Sequence, residues 1–99
     1  MAGKGIKYDS SKLRWTLLPF KEVEEVVKVL EHGANKYESF NWQKVEKKRY
    51  IDATLRHLVA YLKGEFLDDE KEGSGLSHLA HAICSLLFVL WHENKERHR

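Results

Sequence analysis

Apolar positions fall into three helical stripes along the chain, and the last of them organises the rest. From Ser74 to Trp91 the segment SGLSHLAHAICSLLFVLW reads at helical period. Leu76, Leu79, Ala80, Ile83, Leu87 and Leu90 form one broad apolar face, and Ser74, His78, His81 and Ser85 form a polar stripe at steps of four, three and four. From Ala82 onward the pattern is apolar nearly all round, as in a helix buried on more than one side. This predicts a central helix whose polar stripe faces a site.

The first helix is predicted from Pro19 to about Gly33. Proline suits a first helical turn, Glu22, Glu24 and Glu25 suit the positive end of the helix dipole, and Val23, Val26, Val27 and Leu30 supply the apolar set. The second runs from about Glu46 to Leu62, with Ile51, Leu55, Leu58 and Leu62 as its apolar stripe and Gly64 as its stop. Beside that stripe lies Tyr50, Thr54, His57 and Tyr61, again at steps of four, three and four. A loop of roughly ten residues between two helices favours an antiparallel pair, which brings His57 across from His78 or His81.

The expectation is an all-α fold: one small bundle of three main helices spanning residues 1–99, with 1–18 as a basic arm or loop and 19–99 as a helical core ending in a charged tail. The tail, from Glu93 to Arg99, reads as a fraying helix end. With 99 residues, 42% of them apolar, only a modest core is available, so homo-oligomerisation is expected to complete the bundle.

Charge narrows the partners. Seventeen Lys and Arg against fifteen Asp and Glu leave a net charge of +2, which argues against duplex nucleic acid. The single cysteine, Cys84, sits in the apolar helix, so no internal disulfide is possible and a reducing compartment is expected. No apolar stretch resembles a signal peptide or reaches the roughly 20 residues of a membrane span, which points to a cytoplasmic protein and no membrane partner.

Three groups of residues carry candidate chemistry. Lys4, Lys7, Lys12 and Arg14 in the arm suit an anionic ligand, or form a solvated basic arm; Leu13, Trp15, Leu17 and Leu18 are expected to pin its end to the core. Tyr37, Asn41 and Trp42, near Lys36, offer stacking faces and an amide that can meet a nucleobase edge, or they plug the end of the core. His57, His78 and His81 beside the acidic loop from Glu65 to Gly75 suit a metal such as manganese, iron, nickel or zinc, while the loop carboxylates suit magnesium or manganese; a solvated loop is the plainer alternative.

One series of short motifs carries a resemblance: Lys7, Asp9, Lys12 and Arg14; Leu17-Leu18-Pro19; GANKY with Asn41-Trp42; Arg56-His57-Leu58; Gly64-Glu65 and Asp68; and GLSHLAHA. In this order they resemble the phage dATP/dGTP diphosphohydrolases of the MazZ-like family, relatives of the all-α MazG-type nucleotide pyrophosphohydrolases, from residue 7 to about 90. The resemblance implies an oligomeric helical enzyme of the host cytoplasm that cleaves a purine deoxynucleoside triphosphate to monophosphate and pyrophosphate with Mg2+ or Mn2+.

On that reading His57, His78 and His81 are catalytic, and with Asp68 they bind metal or activate water. Lys7, Lys12, Arg14, Lys36 and Arg56 meet the phosphates, and Tyr37, Asn41 and Trp42 hold the base. The chain departs from the MazG-type pattern, Glu-Glu-x-x-Glu followed by Glu-x-x-Asp, because its second helix carries Arg56-His57 and its third His78-x-x-His81. Two alternatives therefore stand beside the enzyme: a protein that sequesters a nucleotide or cyclic-nucleotide signal, and a structural helical module.

Overall fold

A computed structural model describes residue 3 and residues 5–98; Lys4 of the arm and Arg99 of the tail lie outside the described residues. Three helices carry the fold: α1 (Phe20–Lys36), α2 (Lys47–Leu62) and α3 (His78–Arg97). Short 3-10 turns occur at Trp15–Leu17 and Asn41–Lys44. Among the described residues the β structure is limited to one antiparallel bridge between Leu67 and Ser77.

The helix ends show where local chemistry decides. After α2, Gly64 takes φ 93°, its N–H reaches the Tyr61 carbonyl, and Glu65 N–H reaches that of Ala60. This is the paired closure that a glycine beyond a helix end allows, and it places the stop where the sequence does. The expected start of the third helix is corrected by four residues. Ser74 to Ser77 are loop, because Ser77 Oγ accepts the Ala80 N–H and the loop backbone pairs with the strand-like residues before it, Asp68 N–H to Leu76 O and His78 N–H to Phe66 O. At the other ends, α1 continues three residues past Gly33, and the charged tail is helical to Arg97.

α2 and α3 pack antiparallel. Lys47 meets Glu96 at 2.9 Å, Tyr50 meets Phe88, His57 meets His78, and Tyr61 meets Phe66 just before α3, so partners descend in one helix as they rise in the other. α1 crosses α3 through Val26 and Val29, which cluster with Ala80 and Cys84. Cys84 is 2% exposed, and burial pushes its thiol up to about 12, so it is an inert core residue.

The two long helices turn inward the faces that the sequence pattern marks as secondary. α2 buries Thr54 and half-buries Tyr50, His57 and Tyr61, and leaves Ile51, Leu55, Leu58 and Leu62 exposed, the last at 80%. α3 buries His78, Ala80, Ala82, Cys84 and Ser85, and turns Leu79, Ile83, Leu86, Leu87 and Leu90 outward. Small and polar residues let the helices approach closely, while the leucine faces have no cover within one chain. Leu13, Trp15 and Leu17 are likewise exposed and do not pin the arm, since α1 commits Val26 and Val29 to α3. No helix among the described residues is long and apolar enough to cross a membrane.

Candidate functional site

A groove of about 800 Å3 opens between the C-terminal half of α1, the segment that follows it, the acidic loop and the first turns of α3. Its size suits a nucleotide-sized ligand. Tyr37, Asn41 and Trp42 line it together with His81 and Asp68, so the expected base-binding residues share a cavity with one expected histidine and the expected loop carboxylate. Lys36 stands at the same wall with its Nζ 5.3 Å over the Tyr37 ring.

Trp42 is the least free of the aromatic set. Its ring stacks on Phe88 at 4.5 Å and meets Trp91 edge-on at 5.1 Å, and its carbonyl accepts the His92 Nε2–H at 3.1 Å. It anchors the 3-10 turn to α3. Tyr37, in contrast, is 64% exposed.

The histidines do meet. His57 Nδ1 lies 2.8 Å from His78 Nδ1, so one ring donates and the other accepts, and the His57 ring stacks on His81 at 4.5 Å with 9° between planes. His81 Nε2 is hydrogen-bonded to Ser74 Oγ and lies 3.8 Å from Asp68 Oδ2, which also accepts the Ser74 N–H at 3.0 Å. Burial, helped by His81 and His78, lowers His57 to about 4; burial also lowers His81 against the opposing pull of Asp68. For Asp68, burial raises the carboxyl, but hydrogen bonds from the Ser74 and Asp69 backbone and the nearby His81 and His57 outweigh it and hold the group below its usual value. At neutral pH the His57 and His81 imidazoles are therefore uncharged beside an ionised carboxylate.

His57 Nδ1 and His78 Nδ1 bond to each other, His81 Nε2 bonds to Ser74 and Asp68 Oδ2 accepts the Ser74 N–H, and among the described residues no group of three or more His, Cys, Asp or Glu is arranged to hold a metal ion. Three imidazoles with one carboxylate are also a poor set for magnesium, which takes oxygen ligands. Asp69 is structural, its Oδ1 accepting the Lys71 and Glu72 N–H groups in a tight turn.

The cations are less gathered than the sequence reading has them. Lys7, Lys12 and Arg14 are exposed along the arm and are not on the groove wall. Arg56 lines a separate depression of about 330 Å3 with Leu55, Val59 and Lys63. On the groove itself Glu31, Glu38, Asp68, Asp69 and Glu72 surround the single lysine, although Glu38 is paired with Lys44 at 2.7 Å. His32, Gly33, Phe40 and Tyr50 also line it, and of these His32 and Phe40 were not singled out from sequence. His32 gave no pattern signal; Gly33 was legible as a helix end and as the first residue of GANKY, and Tyr50 as a helix-face residue.

The family described as dATP/dGTP diphosphohydrolase, N-terminal, matches residues 2–99. A dATP/dGTP diphosphohydrolase of Salmonella phage PMBT28 is 40% identical over 87 residues, covering 88% of this chain. The chain spans 29% of that relative's length. No solved structure matches the chain. With the match running over essentially its whole length, the chain belongs to the dATP/dGTP diphosphohydrolase N-terminal family.

Proposed function

We propose that this chain holds the purine nucleotide for a phage diphosphohydrolase that converts dGTP or dATP to the monophosphate and pyrophosphate in the host cytoplasm. The observation that carries the reading is the shared groove, where aromatic rings, the Asn41 amide and Lys36 stand on one wall with His81. The rings and the amide suit a base, and Lys36 suits a phosphate at the rim. His81, neutral at its buried position, is able to accept a proton from water.

The carboxylates around Lys36 repel a bare triphosphate. A nucleotide carrying its own Mg2+ or Mn2+ relieves that repulsion, so metal dependence belongs to the proposal. On this first reading His81 activates the attacking water; on a second, the chain binds without turnover. The second reading is favoured by one observation: His57 Nδ1 and His78 Nδ1 bond to each other and His81 Nε2 bonds to Ser74 within the protein.

The test is incubation with dGTP, dATP, dCTP and dTTP, with and without Mg2+ or Mn2+, separating products by chromatography while following the melting temperature. Purine nucleotides with metal are expected to raise the melting temperature, as a ligand that binds only the folded state does. Monophosphate and pyrophosphate that disappear in His81→Gln assign the chemistry to this groove. Stabilisation without products assigns a holding role, and neither effect rejects the groove as a nucleotide site.

A homo-oligomer is part of the same proposal. The outward leucines of α2 and α3 form apolar faces of the kind that a monomer rarely leaves to water. Sedimentation should give at least twice the monomer mass, and Ile83→Glu with Leu90→Glu should return the monomer; a wild-type monomer at high concentration rejects it.

A further inference from the structure

The residue best placed to hold a base is not one of the expected three. Phe40, between α1 and the Asn41–Lys44 turn, has φ 62° and ψ 15°, and it is the one non-glycine residue with positive φ among those described. A bulky aromatic is unfavourable in this left-handed region. Packing does not compensate, because the side chain is 66% exposed and, among the described residues, stacks on no other ring. It lines the groove wall.

A second local rule fails on the same wall. Gly33 lies inside the last turns of α1, where alanine is the better helix former, and a Cβ built on it meets nothing within 4 Å. Neither a turn nor a close protein contact asks for glycine there. Where two residues break local preference at one cavity and the fold does not use either, the ligand is the remaining reason.

We propose that Phe40 is the base-stacking residue of this groove, its left-handed backbone presenting the ring to the ligand, and that Gly33 is bare so that a flat purine can lie against α1. Trp42, engaged with Phe88 and Trp91, supports the wall instead. The inference rests on the reading of the groove as a nucleotide site.

Calorimetric titration of dGTP and dCTP, with Mn2+, into wild type, Phe40→Gly, Phe40→Tyr and Gly33→Leu tests it, with urea unfolding of each. Phe40→Gly relieves the backbone, so it should unfold at the wild-type urea concentration or higher while binding dGTP about tenfold or more weakly, the loss expected when a base loses its stacking partner. Its preference for dGTP over dCTP should shrink, Phe40→Tyr should bind as wild type, and Gly33→Leu should stay folded but lose affinity. Unchanged dGTP affinity in Phe40→Gly overturns the assignment, and so does a parallel loss of stability, which would make the ring a packing element. A wild type that binds neither nucleotide overturns the groove reading itself, and Phe40's role with it.

Discussion

Replacing Trp42 with alanine is expected to destabilise the fold by about 3 kcal/mol, at the low end for removing a large aromatic because the side chain is only partly buried. The ring touches Phe88 and Trp91, and the adjoining carbonyl holds His92, so three residues of α3 fix the turn through this one position. Without the ring, the segment from Tyr37 to Val45 loses its main tether and the groove loses a wall. Nucleotide affinity should therefore fall together with stability, in contrast to Phe40, where the two should separate. Urea unfolding would show a lower midpoint with little change in slope, and Trp42→Phe, which keeps the stack on Phe88, should recover most of the loss. A deficit below about 1 kcal/mol in the alanine variant would show that the ring contributes no more than a surface contact.

The three helices were legible because each has a 3.6-residue apolar pattern, and the meeting of His57 with His78 and His81 followed from an antiparallel pair joined by a short loop. The direction of each face was not. Periodicity marks which residues share a face, but the strongest apolar stripe is assigned to the core only by default. In α2 and α3 the large residues of that stripe face outward, and the closely packed side consists of Thr54, His78, Cys84 and Ser85 with Ala80, the one small residue of the stripe that is buried. An outward apolar face and a core have the same sequence signature.

The site was legible as composition and less so as geometry. Tyr37, Asn41 and Trp42 stood out as aromatics and an amide close together, yet nothing in their order tells a free ring from an anchored one. Phe40 was missed because its significance lies in a backbone angle, and His32 because it reaches the groove only through the crossing of α1 over α3. The histidines were expected to turn their nitrogens on a metal. In the structure one nitrogen of His57 meets one of His78 and one of His81 meets Ser74, and no buried side-chain nitrogen or oxygen among the described residues is left without a partner. That outcome depends on ring orientations that spacing along a helix does not fix.

Lowering the pH from about 6.5 to about 4 should destabilise this protein through His57. In the unfolded chain the imidazole takes a proton near 6.5, whereas in the fold burial and the neighbouring His81 and His78 delay uptake to about 4. Over that window the unfolded state binds more protons, so stability is complete above 6.5, declines as the pH falls and levels off below 4. The full shift would correspond to about 3 kcal/mol, and the ring's partial access to solvent reduces the expectation to about 1–2 kcal/mol. His81, also lowered, acts in the same direction, while Asp68, held below its ordinary 3.8, loses its contribution only at lower pH. Urea midpoints at pH 7.5, 6.5, 5.5 and 4.5 measure the effect. His57→Phe keeps a ring beside His81 and leaves His78 Nδ1 without its partner, so the variant should be weaker at every pH but show a flatter decline. An offset with an unchanged decline would mean that other groups carry the acid sensitivity, and that His57 serves the fold as a hydrogen-bonding ring whose proton affinity does not matter to it.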